Sequence, residues 1–585
     1  MNYKLIENNL NLRPIEKILV NRGIPKEEVF HYLNTDKNDL INFSFLKNID
    51  KGVDLIRKHI INNSHILIVV DSDVDGYASA AILLNYLYDL YGEECLQKID
   101  YFLHSGKQHG ADDFVQQEKE KLNNYNLIIC PDAGSNEIEL HKKLQEMGID
   151  VLVLDHHEVE MESEYACIIN NQLGNYPNKT LSGGGVVYKF CCYMDYLQGT
   201  NFANKYIDLC ALALISDMMD IRNFETKYLI EEGLKTVNSS FIQLMHEKAK
   251  YKLGNSLTPI GVAFYITPAI NATIRVGTQE EKEILFKSLL HYEAGKLIPS
   301  TKRGCKGQKE LLVDQACRNC TNIKNRQTKD RDKALSFVEE LIQQDGLNND
   351  KILIIPLKES GKVPTNITGL IANQLMAKYQ KPVLLLHRRE CDGIVTWEGS
   401  GRNYGKSDFE DFRGFIADSG WAEYAQGHAS AFGAGFSDMN LLNFKNYSNV
   451  KLANYNFQPC YLVDFIYQED SIDRDTILEI ASYSDIYGQC IDEPLVAVEN
   501  IKITKDNLKL LSADKNPTLK ISLRNGVDLI KFGSSKEEYE NLLSPFGYIK
   551  INIIGKCGEN NWMGNISAQI LVEDYEITEE CKYYF

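Results

Sequence analysis

The sequence predicts an α/β protein: a parallel-sheet domain, a second α/β domain joined to it by a helical connector, and a small C-terminal β-barrel. Three observations carry this expectation. From about residue 60, short apolar runs alternate with helical patterns, as in "HILIVV" then "GYASAAILLNYLYDLYG", "NLIICPDAG" then "NEIELHKKLQEMG", and "DVLVLDHH". Strands that are apolar throughout are buried on both faces, which is what a parallel sheet covered by helices requires. A second alternation follows, with a strand at "KILIIPL", a helix in "TGLIANQLMAKY" and strands at "KPVLLLH" and "DGIVTWEGSG". From about 456 helices become rare, and "EPLVAVENIKI", "PTLKISLRN", "VDLIKFG", "YIKINIIGK" and "NISAQILVEDYEI" alternate polar and apolar residues between turns, the pattern of a small barrel.

In chain order, residues 1–55 read as short amphipathic helices ("PIEKILVNRGI", "PKEEVFHYL") leading into the first α/β domain at 56–235. A helical connector at 236–335, the second α/β domain at 336–455 and the barrel at 456–585 complete the division, which suits 585 residues because one core cannot serve a chain of that length. Sixty-three basic against 81 acidic residues give a net charge of −18. That balance argues against a surface that tracks nucleic acid everywhere and leaves room for a local basic cleft, helped by bound divalent ions. The N-terminus lacks the apolar core of a secretory signal and no stretch is apolar enough to span a membrane, so a cytoplasmic protein is expected. The 14 cysteines lie mostly in hydrophobic stretches and read as reduced core residues. Cys317 and Cys320 in "CRNC", with Cys305 upstream, have zinc-ligand spacing but no second close pair.

The chemistry begins at "IVVDSDVDG", where Asp71, Asp73 and Asp75 crowd together after a strand. Like charges so placed repel, and folding them together needs a cation among them, either a metal or Lys and Arg side chains. Three further strand or helix ends repeat the pattern: Asp132 after "LIIC", Asp155, His156 and His157 after "VLVL", and Asp217 after "ALALIS". Any one of these carboxylates alone reads as a helix cap. Four in register are different, because a parallel sheet brings its strand C-termini to one edge and so gathers these residues into a single crevice. Several carboxylates with one or two imidazoles form an oxygen-rich ligand set suited to Mn²⁺ or Mg²⁺.

"DSDVDG", "DAGSNE", "LVLDHH" and "ALALISDMMD" resemble, in that order, the four motifs of the DHH phosphoesterase superfamily. The fuller resemblance is to the RecJ family of single-stranded-DNA exonucleases. It takes in "NRGIPKEEVFHYL", "LSGGGVVYKF", "ITPAINATIRVG", "TGLIANQLMAKYQKPVLLL", "GSGRN", "GHASAFGAGF" and the closing "NWMGNISAQILVEDYEI". The resemblance implies a DHH catalytic domain, a DHHA1-like substrate-binding domain and an OB-like barrel. It implies two Mn²⁺ or Mg²⁺ ions, one held by Asp71, Asp73 and Asp132 and the other by Asp75, Asp132, His156 and Asp217. Asp155 would orient a ligand histidine, and His157 would meet the scissile phosphate or the leaving oxygen. The implied reaction is 5′-to-3′ hydrolysis of single-stranded DNA to nucleoside monophosphates by a monomeric enzyme, on strands exposed by a helicase or held by a single-strand-binding protein. A small-nucleotide phosphodiesterase and a catalytically silent nucleic-acid-binding protein are the alternatives.

Glycine-rich turns at "GSGRN" and "GHASAFGAG" hold Arg402 and His428, where backbone and guanidinium can approach a phosphate closely. By resemblance Asn271 and Arg275 meet the nucleic-acid backbone, and the amides of Ser182, Gly183 and Gly184 are expected to cradle a terminal phosphate. Where RecJ proteins carry an arginine and then "GYG", this chain has "HSGKQHG", with Lys107 or His109 in the arginine's place. Gln426 likewise stands before Gly427 where two glycines are usual. Such departures mark a divergent member, of a kind a phage could encode. In the barrel, Phe532, Tyr548 and Trp562 are the candidate stacking residues; Phe532 also fits a core position, and Trp562, in the polar turn "GENNWMGN", fits an exposed one.

Overall fold

The computed structural model describes residues 1–7, 11–106, 108–359, 361–391, 393–407, 409–457, 459–512, 514–543, 547–562 and 564–582. The chain divides into two units, one of Ile15–Lys324 with Tyr483–Glu493, the other of Met1–Pro14 with Asn325–Ser482 and Pro494–Phe585.

In the first unit, helix α1 (Ile49–Ile61) leads to strand β1 (Ile66–Val70), helix α2 (Val74–Tyr91), β2 (Ile99–Leu103), β3 (Leu127–Pro131), α3 (Ile138–Glu146), β4 (Asp150–Asp155) and β5 (Cys167–Asn170). All five strands are parallel, in the order β2-β1-β3-β4-β5. β1 and β3 are buried at every residue, as their unbroken apolar runs require. α2 is buried from Val74 to Leu87, on all sides, because α4 (Gly183–Gln198) and α5 (Ile207–Ser216) pack against it away from the sheet. The chain leaves β1 toward β2 on one side and returns to β3 on the other, so the strand order reverses between β1 and β3. Connections diverge there and open a crevice at the strand C-termini. β2 and β5, which the sequence pattern did not show, are the edge strands; "IDYFL" carries Asp100 and "CIIN" is only four residues long.

Helices α6 (Ser240–Leu253), α7 (Thr267–Val276), α8 (Gln279–Ser288) and the start of α9 (Leu312–Gln344) complete this unit, with a five-residue π-helical turn at Val262–Ile266. Cys317 and Cys320 are buried on α9, the Cys317 thiol 3.8 Å from the Phe241 carbonyl, and no metal-holding group among the described residues includes a cysteine. The thiols are core residues.

In the other unit, β6 (Leu353–Leu357), α10 (Thr368–Tyr379), β7 (Val383–Cys391), β8 (Ile394–Arg402), β9 (Tyr424–His428) and β10 (Ala431–Ser437) form a sheet ordered β9-β10-β8-β7-β6. Only β6 and β7 run parallel. The OB-like element is a seven-stranded sheet of β11 (Phe465–Gln468), β12 (Leu495–Ile503), β13 (Leu508–Leu511), β14 (Thr518–Ser522), β15 (Val527–Phe532), β16 (Gly547–Trp562) and β17 (Asn565–Lys582), ordered β11-β12-β16-β17-β15-β14-β13. Its inner face is aliphatic, including Val496, Ile501, Leu529, Ile553 and Ile570. Asn2–Leu5, expected among short helices, is instead a strand paired in parallel with Cys460–Val463; four residues show no period of their own, and the partner edge decides. No helix among the described residues is long and apolar enough to cross a membrane.

Candidate metal centre

Each strand of the switch point delivers one part of the site. Asp71 follows β1 and is buried; its Oδ1 accepts from the Gly110 amide at 3.2 Å and its Oδ2 lies 2.7 Å from His109 Nδ1. Asp73 is the N-cap of α2 and accepts from the Gly76 amide at 2.9 Å. Asp75, in the first turn of α2, accepts from the amides of Gly183 and Gly184 at 2.8 Å each, and from Ser182 Oγ at 3.1 Å.

Asp132 follows β3 with φ of 68°, in the left-handed region, held there by its amide, which donates a hydrogen bond to the Leu154 carbonyl at 2.8 Å. This twist turns its carboxylate into the crevice, where Oδ1 is fully buried and has no hydrogen-bond partner. Asp217 caps the C-terminus of α5.

The two histidines divide cleanly. His156 places Nε2 3.3 Å from Asp132 Oδ1, 3.4 Å from Asp217 Oδ2 and 3.8 Å from Asp75 Oδ2. His157 has a different partner: its Nδ1 lies 2.7 Å from Asp155 Oδ1, its ring is largely exposed, and it rests 4.4 Å from the His156 ring, beside the same acids. Asp155 also accepts from the amides of His156, His157 and Ser135. The carboxylate expected to orient a ligand histidine therefore holds His157, not the imidazole that faces the acids. Burial alone would raise the Asp155 carboxyl; the hydrogen bond and charge of His157 overcome it and hold the group well below the usual range.

The acids facing the crevice behave oppositely. Burial, then Asp71 and Asp75, push Asp73 up to about 6. Burial, then Asp75 and Asp73, push Asp217 up to about 8, and burial with four neighbouring carboxylates lifts Asp132 well above its ordinary value. No Lys or Arg pairs with Asp71, Asp73, Asp75, Asp132 or Asp217 among the described residues. Donor atoms of Asp71, Asp73 and Asp132 lie within 4.8 Å of one another, as do those of Asp75, His156 and Asp217, and those of Asp132, Asp155, His156 and His157. An orphaned carboxylate oxygen among mutually repelling acids fits divalent cations, and the donors are hard enough for Mn²⁺ or Mg²⁺.

Several residues have partners other than those expected. The Gly183 and Gly184 amides, expected to cradle a phosphate, are committed to Asp75, and Ser182, Gly183 and Gly184 are all buried. A Cβ on Gly183 would sit 2.3 Å from Asp132 Oδ1, so glycine is what lets α4 begin against the acids. His109, expected at a phosphate, is bonded to Asp71. Lys107 lies outside the described residues.

Asn271 and Arg275 lie on α7, with Arg275 exposed and Asn271 Oδ1 buried without a partner. In the other unit, Arg402 ends β8 with its guanidinium against Gly369, and His428 ends β9, exposed, opposite Ala431. Trp562 closes β16, with its side chain outside the description, and Phe532 is exposed rather than core. Sequence reasoning missed Ser135 and Asn170. Asn170 Nδ2 donates to Ser135 Oγ and to the His157 carbonyl, bracing the Asp155–His157 turn. Ser135 stood inside "DAGSNE"; Asn170, after an unrecognised edge strand, gave no signal.

The parallel sheet, the switch-point crevice and its acid and histidine cluster define a phosphoesterase of the DHH class. The DHH family N-terminal domain matches residues 65–214, and the RecJ OB domain matches residues 463–574. The chain is 34% identical over 582 residues to the putative SPbeta prophage-derived single-strand DNA-specific exonuclease YorK of Bacillus subtilis, covering 99% of this chain and 98% of that one. It is 24% identical over 589 residues to the single-stranded-DNA-specific exonuclease RecJ of the same organism, covering 98% and 70%. The crystal structure of RecJ in complex with Mn²⁺ from Thermus thermophilus superposes with a TM-score of 0.70 at 18% identity, covering 100% of this chain and 80% of that one. The chain belongs to the RecJ-like branch of the DHH family.

Proposed function

We propose that the chain is a metal-dependent exonuclease that hydrolyses single-stranded DNA from its 5′ end to nucleoside monophosphates. The observation that carries this reading is the convergence of two donor groups, Asp71–Asp73–Asp132 and Asp75–His156–Asp217, around the orphaned oxygen of Asp132, with no Lys or Arg among the described residues paired to them. Each group would hold one Mn²⁺ or Mg²⁺, with Asp132 shared. Bound divalent ions supply Lewis-acid stabilisation of charge on the phosphoryl group and a source of activated water.

The chain's own residues do the rest. The Gly183 and Gly184 amides and His109 hold Asp75 and Asp71 in place, as outer partners of ligands do. Asp155 fixes His157 through Nδ1 and leaves Nε2 to meet the scissile phosphate or the departing oxygen. Asn271, Arg275, Arg402 and His428 would grip the strand, with Lys107 and Trp562 as further contacts, and the OB-like sheet would add contacts of its own. A relative named for single-strand DNA, matched along nearly its whole length, supports this substrate. A helicase or single-strand-binding protein would present the strand.

A long single strand labelled at either end tests the reading. The 5′ label should appear early as a mononucleotide while the 3′ label stays on long intermediates, and a blunt duplex should resist. Early release of the 3′ label, or faster cleavage of a dinucleotide than of the long strand, would overturn it.

A further inference from the structure

The surface of α6 and the π-helical turn gathers exposed rings and cations side by side. Tyr251 is wholly exposed, Phe264 is 71% exposed and Tyr265 44% exposed, although rings of this size are usually at least partly covered. Around them Lys248, Lys250 and Lys252 are exposed, and among the described residues none of them has an ion-pair partner. Some surface lysines of this unit pair, as Lys47 with Glu162, Lys58 with Asp150 and Lys205 with Asp89, whereas these three neighbours stand together without one. A cluster of unpaired cations in a chain of net charge −18 needs a reason. Lys252 Nζ lies 5.5 Å from the centre of the Tyr265 ring, so cation and ring form one surface.

The backbone carries a matching signal. π-helical turns are rare and are frequently found at functional sites. This one buries Val262 and Ile266 and leaves Phe264 and Tyr265 outside. Immediately beyond it, on α7, Thr267 Oγ1 and Asn271 Oδ1 are buried one helical turn apart and neither has a partner; Thr267 is only 6% exposed. Unsatisfied polar atoms at that spacing call for a ligand with its own donors.

Both ends of the segment touch elements that also carry parts of the candidate metal centre. The π turn packs on α5, whose C-terminal cap is Asp217. Past α7, Gln279 Nε2 donates to the Leu103 carbonyl, and Lys282 Nζ donates to the carbonyls of His104 and Ser105, at the strand-end edge that also carries Asp71.

We propose that this surface binds single-stranded DNA, with Tyr251, Phe264 and Tyr265 stacking on bases and Lys248, Lys250 and Lys252 meeting phosphates. The inference deepens the exonuclease reading and rests on it. Exposed rings interleaved with unpaired cations match the alternation of base and phosphate in an unpaired strand, whereas protein interfaces, though rich in aromatics, are depleted in lysine.

Binding of a fluorescein-labelled oligothymidylate of about 20 nucleotides, longer than the ~4–16 that one OB fold occupies, is measured by anisotropy in EDTA so that no cleavage occurs. The double variant Phe264→Ala/Tyr265→Ala should raise Kd at least about tenfold, and Phe264→Trp/Tyr265→Trp should restore it. Replacing Lys248, Lys250 and Lys252 together by Ala should reduce the slope of log K against log salt by about 2, from roughly 0.7 for each lost phosphate contact. The rise in melting temperature with added Mn²⁺ reports that each variant keeps its fold and metal centre. If the wild type binds and both variants bind within about twofold of it with an unchanged salt slope, the surface is overturned while the exonuclease reading stands. If the wild type does not bind the oligonucleotide at all, both fall.

Discussion

Gly183→Ala tests whether the metal centre is built by close approach of α4 to the acids. A Cβ at this position would lie 2.3 Å from Asp132 Oδ1, 2.5 Å from Asp132 Cβ and 2.7 Å from Asp132 Cα. Carbon atoms rest at about 3.5–4.0 Å, so helix and loop must part by about 1 Å. Asp132 cannot retreat, because its left-handed backbone is tied to Leu154. The helix must therefore move, and with it the Gly183 and Gly184 amides that hold Asp75 at 2.8 Å. Overpacking of this kind costs about 1–3 kcal/mol of stability, and a misplacement of about 1 Å costs roughly a hundredfold in turnover. The assay is release of acid-soluble nucleotide from single-stranded DNA at saturating Mn²⁺, beside a thermal melt with and without the ion. Gly295→Ala is the control, since φ there is −85° and a Cβ meets nothing within 4 Å. A Gly183→Ala protein with wild-type turnover and a wild-type melting shift on Mn²⁺ would refute the reasoning.

His141 is buried on α3 with neither ring nitrogen bonded, and burial depresses it to about 4. Between about pH 6.5 and 4 the unfolded chain binds the proton and the folded one does not, so stability falls as pH drops through that window, by about 3 kcal/mol in all. His141→Leu should remove that contribution; urea melts at pH 7 and pH 4.5 measure it, and an unchanged difference between them would contradict it. Lys189 and Glu225 form a buried ion pair at 2.8 Å, with Tyr176 and Asn178 also donating to Glu225. Lys189→Met leaves that carboxylate uncompensated and should cost about 3–5 kcal/mol in chemical denaturation, with much of it recovered when Glu225→Gln is added. A double variant as unstable as the single one would show that the charge is not the cause.

The sequence made the centre of the first sheet legible because β1, β3 and β4 are buried on both faces and so read as unbroken apolar runs, each ending in its acid. Edge strands obey weaker rules: β2 tolerates Asp100, β5 has four residues, and Asn2–Leu5 is a strand only because an edge is there to receive it. The identity of the acids was readable, but the roles of the two histidines were not. His156 and His157 are adjacent, and their different partners are set by three bonds of Asp155 and by Asn170, which comes from another strand. Gly183 and Gly184 looked like a phosphate cradle because glycine permits close approach; what approaches is Asp75 and Asp132 from within the chain. The Tyr483–Glu493 segment lies far along the sequence yet joins the first unit, where the Ile221 amide donates to the Gln489 carbonyl. A pairing at that separation leaves no periodic trace.

Asp132→Asn asks whether the acids around Asp132 hold metal. Bound Mn²⁺ is counted by equilibrium dialysis, and melting temperature is read with and without the ion. The wild type should bind two ions for each chain and melt higher when they are present. Asp132→Asn should lose at least one ion and its turnover, yet melt higher than the wild type in EDTA, because removing a buried repelling charge relieves about 1–3 kcal/mol. Mn²⁺ binding and turnover unchanged by the substitution would contradict the account.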